Sequence, residues 1–223
     1  MESVIGDILP LALGVAISPI PIIAAILMLL SPKARVTGVG FLLGWVLGIV
    51  IAVTIFTLIS AVLPDATSDA ATPIRAIIHL VAGLALVILA VRRWRGRPRG
   101  DGVPELPKWM RAIDTITFPG ALGLGFLLSG VNPKNLLLGA SAGVDIGAAT
   151  LATGPLIVVI AVYTIIAAST VLVPVVAYLF AADRLREPLD RLRLWLSREN
   201  AVIMAVLLLV IGVMLIGKGI GGF

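Results

Sequence analysis

The chain has 223 residues, of which 60% are hydrophobic and only 13% charged, with a mean hydropathy of +1.14. That balance excludes an ordinary soluble domain. The formal net charge of +5 does not point to nucleic acid, because the basic residues lie in short loops between apolar runs, and a chain without cysteine has no thiol redox chemistry or thiolate metal site.

Apolar runs of roughly 18 residues or more read as membrane spans. Such spans are predicted near residues 5–30, 37–63, 74–91, 117–143, 151–181 and 199–217. The acidic start, MESVIGD, and the length of the first run argue against a cleaved signal peptide. The fold class expected is therefore an all-α integral membrane protein with six transmembrane helices.

Span 1 contains AISPIPIIA, where Ser18 suits a helix N-cap and Pro19 the first helical position. In span 2, Gly40, Gly44 and Gly48 recur every four residues and make a smooth face. Packing within the monomer is the plainer use for it, and a homodimer face the sharper one. Thr37, Thr54 and Thr57 are expected to bond to their own helix. Span 3 carries the only histidine, His79, near its outer end; one histidine makes no metal cluster.

Span 4 contains SGVNPKNLL, with Asn132 as N-cap and Pro133 following, so a second break is expected. Ser18 and Asn132 fall about 14 and 16 residues into their spans, or ~20 Å, near mid-membrane. Span 5 would be about 46 Å long if straight, more than the bilayer needs, so Pro155 and Pro174 predict a kink or a late start. The segment 183–199 spaces Leu185, Leu189, Leu192 and Leu196 along one side, with arginines and acids opposite, which reads as an amphipathic helix on the membrane surface.

Loop charges orient the spans. Lys33 and Arg35, then Arg92, Arg93, Arg95, Arg97, Arg99, Lys108 and Arg111, then Arg184, Arg186, Arg191, Arg193 and Arg198 occupy alternate loops, and such loops stay in the cytoplasm. Both termini are then extracytoplasmic, in a bacterial plasma membrane. Residues 1–95 and 112–223 form two inverted three-span repeats joined by a basic cytoplasmic linker, 96–111. Paired broken spans in inverted halves point to a transporter's binding site near mid-membrane.

That places Ser18, Pro19, Pro21, Asn132, Pro133, Lys134 and Asn135 at the predicted substrate site. Lys134 has no acid at its depth, since Asp7 and Asp145 fall near the outer surface. An unpaired intramembrane charge costs roughly 2.5–3.5 kcal/mol even on insertion scales, and an anionic substrate at two helix N-termini would offset that. The plainer alternative is that Lys134 only bonds carbonyls freed by the breaks, or snorkels.

The stretches SPIPIIAAILMLLSPKARVTGVGFLLGW, 18–45, and SGVNPKNLLLGASAG, 129–143, resemble the lysine-exporter (LysE) superfamily. Within it the chain is most similar to the Sap/GAP glycolipid- or sulfolipid-addressing proteins of actinobacteria. The resemblance implies export of an envelope glycolipid or its precursor. Ile20 stands where the superfamily's S-P-G-P motif has glycine, which disfavours a small amino-acid pocket. An exporter of an amino acid or small organic anion is the second expectation, and a non-transporting scaffold for lipid machinery is the third. No nucleotide-binding loop, cofactor motif or catalytic constellation occurs, so neither enzyme activity nor a cofactor is expected. The partners are membrane lipids and an anionic lipid or small molecule.

Overall fold

A computed structural model describes residues 1–61, 71–97, 110, 113 and 115–222. Arg99, Lys108 and Arg111, used above for topology, lie outside the described residues. Among those described, every element is helical.

The first apolar run forms α1, Glu2–Ala16, and α2, Pro19–Leu30, bent by 54°. The bend follows from composition: Pro19 and Pro21 offer no N–H to the preceding turn, and a residue before proline is driven to extended backbone. Ser18 obeys, at φ −124°, ψ 92°. The helix α3, Ala34–Ala61, lies beside α5, Phe118–Phe126. A Cβ on Gly44 would collide with the Leu122 carbonyl oxygen, and one on Gly48 with the Ser129 hydroxyl. The glycine stripe is thus an intramolecular seam, the plainer of its two expected uses. Thr37 and Thr57 bond carbonyls four residues earlier, as expected.

Helix α4, Ala71–Arg95, ends in Arg92, Arg93 and Arg95. After α5 comes a π-helical turn, Leu127–Val131, then the extended Asn132, then α6, Pro133–Ala148. The basic linker is not wholly outside the fold, since its Met110 is buried in the core, as is Ile113 just beyond it.

The last helix, α7, runs Thr153–Ile220 and is interrupted at Ala181, with φ −138° and ψ 43°. Its 68 residues would extend about 100 Å as a straight rod, three times the hydrocarbon thickness. The interruption falls at the predicted end of the fifth span. Pro155 lies in the first turn of α7 and Pro174 inside it, so the kink sits at Ala181 and not at the prolines expected to cause it. Residues 183–199 are helical, continuous with the final apolar run. Leu189 and Leu196 are buried, whereas Leu192 and Trp195 are exposed.

Among the described residues three helices are long and apolar enough to cross a membrane, Ala34–Ala61, Ile74–Arg95 and Thr153–Ile220, or four when the bent pair α1–α2 counts as one span. Leu43, Leu47, Ile51 and Ile55 of α3 are all exposed, a row at helical spacing suited to lipid. Inside, Phe41 and Trp45 stack with ring centroids 6.3 Å apart, and Tyr163, Leu11 and Leu138 are fully buried. Lys218 near the end of α7 reaches Asp7 near the start of α1 at 2.9 Å. Both chain ends therefore lie at one end of the bundle, and the arginines of α4 lie at the other.

Candidate binding site at two helix breaks

Breaking α1 frees carbonyls that must find donors, because neither protein interior nor lipid supplies water. Gly14 would normally accept from the Ser18 amide, but that amide turns to Ala16 O at 2.8 Å. Val15 would accept from position 19, which is proline. Three side chains fill these gaps. Lys134 Nζ donates to Gly14 O at 2.5 Å, Ser18 Oγ donates to Val15 O at 2.9 Å, and Thr170 Oγ1 of α7 donates to Ala16 O at 2.6 Å. Lys134 Nζ also donates to Ser18 Oγ at 2.5 Å.

At the second break Asn132 caps α6, its Oδ1 accepting from Lys134 N at 3.0 Å. Ser18 stands at the corresponding position but makes no side-chain cap for α2. Its hydroxyl serves the helix that ends, not the one that begins. Because Pro19 and Pro21 lack N–H groups and Ile22 N bonds Ser18 O, Ile20 is the one first-turn amide of α2 left without an intrahelical partner. The expected pair of equivalent N-termini is thus one capped terminus and one nearly stripped of donors.

The breaks meet at a cavity of about 120 Å³. Ser18, Pro19 and Pro21 line it from one side and Asn132, Pro133 and Lys134 from the other. Six of the seven predicted residues are therefore together. Asn135 is not: it is buried, and its Nδ2 donates to Leu128 O at 3.1 Å, tying α6 to the π-turn. Ile20 lines the cavity, as do Leu89 and Arg93 of α4 and Met204 and Leu208 of α7. Arg93 reads in the sequence only as a topology charge, and nothing in its local pattern marks it as a site residue.

The ammonium of Lys134 has three donors; two are committed to Gly14 and Ser18. Only 4% of the residue is exposed, and among the described residues no carboxylate lies within ion-pair distance of it. Asp7 and Asp145 lie at the opposite end, as expected, and both pair with Lys218. The sequence shows no paired carboxylates, yet folding gathers these two around one cation. The cavity thus holds two cations from different helices and no acid among the described residues, an arrangement that attracts anions.

The sequence model of one family, described as SfLAP: Sap, sulfolipid-1-addressing protein, matches residues 8–221. Comparison with curated proteins and with solved structures gave no match.

Proposed function

The chain belongs to the Sap, sulfolipid-1-addressing protein, family, and from that premise we propose that it is a plasma-membrane exporter of an anionic envelope lipid. In this account the polypeptide crosses the membrane six times as two inverted halves, 1–95 and 112–223, with α7 supplying two crossings on either side of Ala181. The lipid's anionic group sits at Lys134 between the breaks, and one half rocks against the other to expose it alternately to each side.

The single observation that carries this is the cavity itself: residues from both breaks line it together with Lys134 and Arg93. The family's name supplies the substrate class, a sulfated lipid, and a sulfate monoester stays anionic at every physiological pH. About 120 Å³ is well below the roughly 300–1,000 Å³ of a drug-sized ligand pocket. It suits a headgroup's charged portion rather than a whole glycolipid, whose chains would remain in the bilayer.

The same small volume favours a second occupant, an organic anion or amino acid. A strain lacking the protein, complemented with wild type or Lys134→Gln, separates the two. The account expects a surface-exposed anionic lipid to vanish while its precursor accumulates inside, with Lys134→Gln matching the deletion at normal protein level. Unchanged surface lipids, with an amino acid or organic acid failing to leave the cell, would select the second occupant. Full lipid export by Lys134→Gln would remove the ammonium from the substrate site.

A further inference from the structure

The end of the molecule away from the cavity carries a constellation that substrate binding leaves unused. Asp7 of α1, His79 of α4, Asp145 of α6 and Lys218 of α7 meet there. Lys218 Nζ stands 2.9 Å from Asp7 Oδ1 and donates to Asp145 Oδ2 at 3.0 Å, and His79 Nε2 stands 3.1 Å from Asp145 Oδ1. The side chains of His79 and Asp145 are 8% and 12% exposed, against 49% for Asp7. The buried part of the network is therefore the histidine–aspartate pair.

Hydrogen bonding fixes where a proton can go. His79 Nδ1 lies 3.0 Å from the Arg75 carbonyl oxygen, which can only accept, as can the Asp145 carboxylate; Nε2 is the nitrogen left without a hydrogen-bond partner, so the hydrogen of a neutral ring is assigned to Nδ1. In the neutral ring Nε2 is then bare, and its lone pair faces the Asp145 carboxylate without any hydrogen-bond partner. A proton taken from solvent onto Nε2 turns that repulsion into a charge-assisted attraction. It also balances the four linked groups, which carry two negative charges and one positive charge while the ring is neutral.

The links run between the two halves. His79 of α4 meets Asp145 of α6, and Asp7 of α1 meets Lys218 of α7, so opening this end requires both contacts to part. Other charges nearby are few among the described residues. Arg75 lies one turn before His79 with its Nε buried and unpartnered, Glu2 and the Met1 amino group are exposed at the start of α1, and α6 and α7 add only Asp145 and Lys218 at this end.

We propose that His79 and Asp145 form a proton-binding site that gates the end of the protein opposite the cavity. With the proton bound the halves are held together there; its release leaves a net negative cluster and loosens them. This rests on the alternating-access account above, because a gate has meaning only if that end opens.

The chain lacks cysteine and has one histidine, so both reporters are clean. Protein carrying Leu215→Cys, fully buried one turn from Lys218, is placed in nanodiscs without a histidine tag. Nitrogen NMR of the ring and labelling by a membrane-impermeant maleimide are followed from about pH 5 to about pH 8, the range in which histidine ordinarily changes charge. The expected result is hydrogen on Nδ1 throughout, Nε2 losing its proton as pH rises, and labelling, taken relative to an exposed Glu2→Cys reference that carries the thiol's own rise in reactivity with pH, accelerating about fivefold or more over the same midpoint. His79→Gln should abolish the pH dependence of that relative rate; should that variant not accumulate, Asp145→Asn should move the midpoint of both curves together. A neutral ring protonated on Nε2, or labelling that ignores the ring's titration, would overturn the proposal. Neither readout involves substrate, so failure of the lipid account and failure of the gate remain distinguishable.

Discussion

At the first break Ser18 turns its hydroxyl back to Val15, on the helix that ends; at the second, Asn132 caps the helix that begins. Both are a polar residue followed by proline, so their letters predict the same role. The second proline decides the difference. Pro21 joins Pro19 in removing donors from the start of α2, so little remains there to cap, whereas the broken end of α1 has carbonyls in need of partners. Asn132 is followed by Pro133 and then Lys134, whose amide is available to cap and whose ammonium reaches across to Gly14. One break supplies acceptors and the other supplies the cation. Lys134 therefore closes the first break, as the plainer sequence reading expects, and lines the cavity, where the proposed function has it hold an anion.

Lys134→Met sharpens this contrast most. It removes the donor to Gly14 O and Ser18 Oγ, and stranded buried acceptors cost about 1–3 kcal/mol each. Its melting temperature should fall further than that of Lys134→Gln, whose amide retains a donor; equal melting temperatures would mean that the lysine does not bridge the breaks. A smaller effect is expected from Ser18→Ala, with a loss of about 1 kcal/mol that is non-additive with Lys134→Met in a double-mutant cycle, because the two side chains touch. Asn132→Ala should cost about 1 kcal/mol as a lost cap and should add to Ser18→Ala without coupling. Coupling of Asn132 rather than Lys134 to Ser18 would break the contrast. Thr170→Val should cost least, about 0.6 kcal/mol by the average for membrane hydrogen bonds, with slight softening of the first break seen as faster amide exchange near Ile17. Protection unchanged there would show that the Ser18 amide alone satisfies Ala16 O.

Much of this was legible because breaks and spans are local. Proline strips N–H groups wherever it stands, so Pro19 and Pro133 mark their breaks without any knowledge of the fold, and the Gly40–Gly44–Gly48 stripe marks a close seam. What was not legible depends on partners distant in sequence. Arg93 reads as one basic residue among several until α4 packs beside the breaks. Thr170 is an ordinary helix threonine until the broken end of α1 turns the Ala16 carbonyl toward it. Asn135 follows the site residues in sequence yet faces the π-turn, because neighbouring positions on a helix point about 100° apart. The His79–Asp145–Lys218–Asp7 chain draws on four helices, and no window of sequence contains it.

The central claim, that the cavity at the two breaks holds an anion through Lys134, is tested most directly by lipid binding to purified protein in nanodiscs. A sulfated glycolipid and its desulfated counterpart are titrated against wild type and Lys134→Gln. The account predicts that wild type prefers the sulfated lipid, and that Lys134→Gln loses this preference by roughly 2–5 kcal/mol, the usual cost of removing one partner of a buried charge pair. Equal binding of both lipids by wild type, or a preference undiminished in Lys134→Gln, would contradict it.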